Sequence, residues 1–168
     1  MKRQIIEGLR PSTLSMLGLQ IALETLCTET SQHLGIVISQ DIDQVQISPE
    51  AELSLFRVAQ EALANIGKHA AATEVFVRLK QENDGVRLQI VDNGSGFEVE
   101  TAETGRHGLA GMRFRMERHG GMLSVVSSAQ QGTRIIANLP LSAGMELPLA
   151  HGGSRLAIRA QTHGPGSA

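Results

Sequence analysis

Residues 91–97 read VDNGSGF, directly after the alternating apolar and polar residues of VRLQI (86–90). A strand that runs into a carboxylate and two glycines ends in a turn that lets something approach the backbone closely. A dinucleotide, a bare phosphate and an adenine all fit that description, and each implies a different protein. The dinucleotide fingerprint needs G-x-G-x-x-G at the start of a helix. GSGFEV (94–99) lacks the third glycine, and no helical pattern begins there. A Walker-type phosphate loop is also excluded, because G-x-x-x-x-G-K-[ST] occurs nowhere in the chain. Taken alone, the stretch is a glycine turn at a strand end.

The bulk composition narrows the class. With 168 residues the chain is long enough for one domain with its own core. Aromatic residues make up 2% and Trp and Tyr are absent, so the core is aliphatic and base-stacking platforms are not expected. A net charge of -2 argues against direct nucleic-acid binding. The single cysteine, Cys27, allows no internal disulfide and fits a reducing, cytoplasmic setting. No apolar run approaches the roughly 18 residues of a membrane span, and MKRQIIEGLRP has no signal-peptide core. That opening reads as the inside of a helix, as in a piece of a longer protein.

Periodicity gives the order α–β–α–β–β–loop–α–β–β. A helical pattern over 2–10 is stopped by Pro11. A second runs from about Ser15 to Leu34, with Leu19, Leu23, Leu26 and Thr30 on one side and Gly35 as C-cap. IVISQDI (36–42) alternates as a strand. Ser48 caps a third helical pattern, with Pro49 at its first position and Glu50 and Glu52 in its first turn, running to about Ala70. Strands over 73–81 and 85–92 form a hairpin across ENDG, with Asp84-Gly85 expected to supply positive φ. A short helix over 108–120 and two strands, MLSVVSSA and TRIIANLPL, follow. This order predicts an α+β two-layer sandwich, one mixed, mostly antiparallel sheet with helices on one face. Residues beyond Leu141 lose all pattern and are expected to be a disordered tail.

Three further features bear on the glycine turn. On the helix at 49–70, Glu61, Asn65 and Lys68 are spaced i, i+4, i+7 and so share one face, which Ser54 and Arg57 extend; Leu53, Phe56, Leu63 and Ile66 form the opposite, core-facing stripe. A solvated helix face accounts for most such stripes, but Asn is a poor helix-interior residue, and its carbonyl beside a carboxylate suits Mg²⁺ carrying phosphates. GRHGLAGM (105–112) passes a glycine-rich loop into a helix N-terminus, where free N–H groups attract phosphate oxygens. The third is Gly-Thr at 132–133, a turn entering the last strand.

In this order the pieces resemble the ATP-binding domain of sensor histidine kinases, of the GHKL superfamily with the Bergerat sandwich. EALANIGKHA (61–70) resembles the N box, VDNGSGF the first glycine box, GRHGLAGM the second and QGTRIIANLP (131–140) the closing strands. The segment LRPSTLSMLGLQIAL (9–23) resembles the lead-in of the subfamily whose partners are response regulators with LuxR-type DNA-binding domains. The resemblance covers about residues 3 to 141. It implies that Asp92 accepts a hydrogen bond from the adenine amine, with Gly94 and Gly96 folding closely around the base and Thr133 nearby. It implies Mg²⁺ held with ATP by Asn65, with Glu61 orienting a metal-bound water or acting as a base. Lys68 and His69 would reach the phosphates, and Gly108, Leu109, Gly111 and Met112 would contact the nucleotide at the hinge of a short lid, about 97–107, expected to lack order without it. Two departures are visible: Arg106 stands where relatives often carry a glycine, and Phe114 stands between Arg113 and Arg115 where an acidic residue is usual.

A histidine kinase also needs a phosphoacceptor histidine, typically followed by an acidic residue. Here His33, His69, His107, His119, His151 and His163 are followed only by Leu, Ala or Gly. The acceptor is therefore expected upstream of Met1, with residues 1–14 the end of a dimerisation hairpin, 15–141 the catalytic domain and 142–168 the tail. The intact protein would be a homodimer, with a membrane anchor also upstream if it has one, and would pass the phosphoryl group to a response-regulator receiver domain. A non-catalytic adenine-nucleotide-binding module and an anti-sigma-factor-type serine kinase are the alternatives.

Overall fold

The structure, a computed structural model, describes residues 11–98 and 107–141. The expected helix over 2–10, the tail beyond Leu141 and all of the expected lid (about 97–107) except Phe97, Glu98 and His107 lie outside these residues.

Helix α1 (Ser12–Leu34) begins three residues earlier than the periodicity predicts and is broken at Gly18, whose φ of 81° and ψ of 178° are not helical. Past that break, Leu19, Ala22, Leu23 and Cys27 are buried at helical spacing. Gly35 ends the helix at φ 67°, and its N–H donates to the Ser31 carbonyl. Burial, and then the Glu24 charge, push the Cys27 thiol up to about 12. Strand β1 (Val37–Ile42) follows. Helix α2 (Pro49–Asn65) starts as expected, the Ser48 side chain accepting from the Ala51 N–H. Its core stripe is Ala51, Leu55, Phe56, Val58, Ala59, Ala62 and Leu63, while Leu53 is only partly buried.

From Ile66 to Ala70 the chain forms a π-turn that ends at Ala71, a non-glycine residue at φ 48°. A continuous α-helix to Ala70, expected from the pattern, is thus replaced in its last turn. Strands β2 (Glu74–Glu82) and β3 (Gly85–Asp92) then form the hairpin, with Glu82 opposite Gly85. Neither Asp84 nor Gly85 adopts positive φ, contrary to expectation. Gly85 is needed for space, since a Cβ there would collide with the Leu139 carbonyl oxygen of the neighbouring strand. Helix α3 (His107–Glu117), strand β4 (Met122–Ser127) and strand β5 (Thr133–Pro140) complete the fold.

The five strands form one sheet in the order β1-β2-β3-β5-β4. β1 and β2 are parallel, a pairing that requires the crossover through α2, and the other three pairs are antiparallel. The inner face carries Val75, Val77, Leu79, Val86, Leu88, Ile90, Ile135, Ala137 and Leu139, all buried beneath the helices. This is the predicted sandwich, with an aliphatic core. Its topology places the ends of β3 and β5, the last turn of α2 and the start of α3 around one opening.

Candidate nucleotide-binding cleft

At that opening lies a cleft of about 540 Å³, its mouth included. Ala62, Ile66, Ile90, Leu109 and Ile135 make its apolar walls, and Asn65, His69, Asp92 and Thr133 supply the polar groups. Such a cleft, apolar with a few convergent polar groups, is the usual form of a small-molecule site.

Asp92 is the one buried charged residue among those described, 5% exposed. Its Oδ1 accepts the Gly94 N–H at 2.8 Å. Burial raises the carboxyl above its ordinary pKa, while the Gly94 and Thr133 backbone N–H groups pull it back. Asp92 sits directly opposite Thr133 in the β3–β5 ladder, which puts both residues at the same end of the cleft. As an ionised carboxylate, Asp92 offers about four lone-pair sites and no proton, so it can still receive a donor from a ligand.

The glycine loop is built around this group. Gly94 is buried, and a Cβ on it would run into the Ala70 carbonyl and methyl. Ser95 donates its N–H to that same carbonyl at 2.7 Å, tying the loop to the π-turn. Gly96 has φ 60°, and a Cβ there would strike the Ser128 carbonyl. Asn93 faces away from the cleft: its Oδ1 accepts the N–H groups of Thr73 and Glu74, both at 3.0 Å, and its Nδ2 donates to Thr73 Oγ1. The glycine turn is therefore clasped on two sides.

The helix stripe is only partly as predicted. Asn65 lines the cleft. Glu61, one turn earlier, lies against the start of α3, where a Cβ on Gly108 would collide with its carboxylate. Lys68 does not join them. The segment from Ile66 onward is a π-turn, and Lys68 is exposed and not among the lining residues, while His69, also exposed, is. Ser54 shares a 2.9 Å hydrogen bond with His119 Nε2, and Arg57 donates to Gln60 Oε1, so these two belong to helix packing. Met112, on the inward face of α3, is fully buried and is not part of the lining, whereas Leu109 is. Gly111 borders the Arg115 guanidinium.

Two contributors escaped the sequence reading. Phe97 lines the cleft, held by its N–H donating to Ser127 Oγ at 2.9 Å. Ser127 in turn faces Thr133 across the β4–β5 ladder. The sequence signal pointed elsewhere: a turn of QQG alone would pair Ala129 with Thr133, whereas the connection is the five residues 128–132 and the pair is Ser127 with Thr133. Among the described residues no group of three or more His, Cys, Asp or Glu is arranged to hold a metal by itself. The Asn65 oxygen, with the Glu61 carboxylate one turn away, instead fits a Mg²⁺ that arrives with phosphates and keeps most of its own waters.

Comparison with known proteins agrees with this geometry. Residues 50–143 match the model of the family described as "Histidine kinase-, DNA gyrase B-, and HSP90-like ATPase". Sensor histidine kinase LiaS of Bacillus subtilis (strain 168) is 37% identical over 139 residues, covering 83% of this chain and 39% of LiaS. Signal transduction histidine-protein kinase/phosphatase DegS of Brevibacillus brevis is 35% identical over 142 residues, 83% of this chain and 37% of DegS. The histidine kinase domain of the Erythrobacter litoralis EL346 blue-light activated histidine kinase superposes with a TM-score of 0.65 at 22% identity, over 74% of this chain and 61% of that one, a likeness of fold. The chain belongs to this ATPase family, and the relatives that it matches over most of its own length are sensor histidine kinases. It spans less than two fifths of the length of LiaS and of DegS.

Proposed function

We propose that this chain binds ATP with Mg²⁺ in the Asp92 cleft and serves as the catalytic part of a larger kinase, which phosphorylates a histidine upstream and then an aspartate of a response regulator. The observation that carries the reading is the buried Asp92 carboxylate at the end of an apolar cleft, where an acceptor selects the amine of adenine over the carbonyl of guanine. Ile90, Ile135, Ile66 and Leu109 take the faces and edges of the base. Asn65 presents an oxygen toward the phosphate end, and His69 a ring nitrogen. Bound Mg²⁺ neutralises charge on the phosphates. Glu61 lies at the α3 N-terminus and accepts the proton of the attacking imidazole. Gly108 and Gly111 bring backbone N–H groups near the phosphates. Catalysis by such a site is mostly positioning and charge neutralisation.

The lead-in at 9–23 supports a response-regulator partner of the type that carries a LuxR-like DNA-binding domain, and a homodimer in the intact protein. The described helices include none long and apolar enough to cross a membrane, in keeping with a domain that works in the cytoplasm. The test is reconstitution. The chain alone, with Mg-ATP, acquires no acid-labile, base-stable phosphate. Addition of the phosphoacceptor hairpin from the same full-length kinase yields that phosphate on the hairpin. ATP binding without transfer to the hairpin would favour a non-catalytic regulatory module, and phosphate on a serine of a partner would favour the anti-sigma-factor type.

A further inference from the structure

A polar row crosses the inner face of the sheet at the base-reading end of the cleft. Ser127 of β4 pairs with Thr133 of β5, which pairs with Asp92 of β3. Ser127 Oγ has three partners: the Phe97 N–H at 2.9 Å, the Gly132 carbonyl oxygen at 3.0 Å and Thr133 Oγ1 at 3.0 Å. A serine hydroxyl has one proton and two lone pairs. The Phe97 N–H can only donate, so it takes one lone pair. The Gly132 carbonyl can only accept, so it takes the proton. The remaining hydrogen bond must be donated by Thr133. The reverse assignment would leave the carbonyl of buried Gly132 without this donor, a costly arrangement.

Thr133 thus commits its only proton to Ser127 and turns lone pairs toward the cleft, beside a carboxylate that is itself acceptor-only. We infer that Ser127 is a specificity-determining positioning residue that fixes Thr133 as an acceptor. The end of the cleft then presents acceptors alone. It admits a purine whose facing edge carries an amine, and rejects one with a carbonyl there. This inference rests on the adenine-nucleotide reading of the cleft.

The test is titration of the chain with ATP and with inosine triphosphate, which has a carbonyl in place of the amine. The parent prefers ATP. In Ser127→Ala the Thr133 proton is released and can be donated to the inosine carbonyl, so the ATP preference falls about three- to tenfold, the worth of one hydrogen bond. Loss of the Phe97 anchor weakens both nucleotides alike and cancels in the ratio. In a Thr133→Val background, Ser127→Ala leaves the ratio unmoved. An unchanged ratio in Ser127→Ala, or the same fall in the Thr133→Val background, overturns the inference. If Ser127→Ala does not fold, Thr133→Val decides alone: its ATP preference shrinks, and an undiminished preference overturns the inference. A parent that binds ATP and inosine triphosphate equally overturns it too, with the nucleotide site intact. A parent that binds neither contradicts the nucleotide reading, and the inference with it.

Discussion

The role proposed for Asp92 requires it to be buried to read a base and charged to accept from it, and the two demands oppose each other. Burial lifts its carboxyl above the ordinary range, so the native state holds that proton more tightly than the unfolded chain. Stability of the nucleotide-free domain therefore falls as pH rises from the ordinary Asp range through the raised value. Asp92→Asn removes that fall while keeping an oxygen for the Gly94 N–H, and urea midpoints measured at several pH values would reveal it as a flatter profile. Asn93, its neighbour, does different work. Its side chain carries three hydrogen bonds to Thr73 and Glu74, so Asn93→Ala should cost about 1–2 kcal/mol of unfolding free energy, given partial exposure of the bonds. A loss under about 0.3 kcal/mol would mean the clasp is ornamental.

Among the elements, the glycines separate into those that need space and those that do not. Gly94→Ala drives a methyl into the Ala70 carbonyl and should destabilise by about 1–3 kcal/mol, since backbone cannot step aside as a side chain can. Gly111→Ala meets only the tip of Arg115 at 3.1 Å, and alanine favours helix, so thermal unfolding should move little or upward. The elements were largely legible in the sequence, because alternation and helical spacing report burial directly: β2, β3 and β5 show the expected alternation, and Ser48-Pro49 marks the start of α2. The breaks were not. Nothing in IGKHA distinguishes a π-turn from an α-turn, because the difference is set by how the segment packs on the glycine loop through Ser95. The row Ser127–Thr133–Asp92 was hidden because it depends on β5 inserting between β3 and β4, which is a property of topology and not of any local pattern.

On the scale of the molecule, the five strands and three α-helices of the described residues gather side chains from Ala62 to Ile135 around one cleft, with the proposed base end formed by strand ends and the proposed phosphate end by helix termini. This division follows from the chemistry of the two parts, since backbone N–H groups at helix starts suit anions and a buried acceptor suits an amine. Selective nucleotide binding is the part of the proposed function that this chain can show by itself. The most direct test is calorimetric titration of the parent and of Asp92→Asn with ATP in the presence of Mg²⁺. The parent should bind, and Asp92→Asn, which can set a donor against the adenine amine, should lose affinity by about 100-fold or more. Equal ATP affinity in the two would contradict the assignment of Asp92 as the reader of the base.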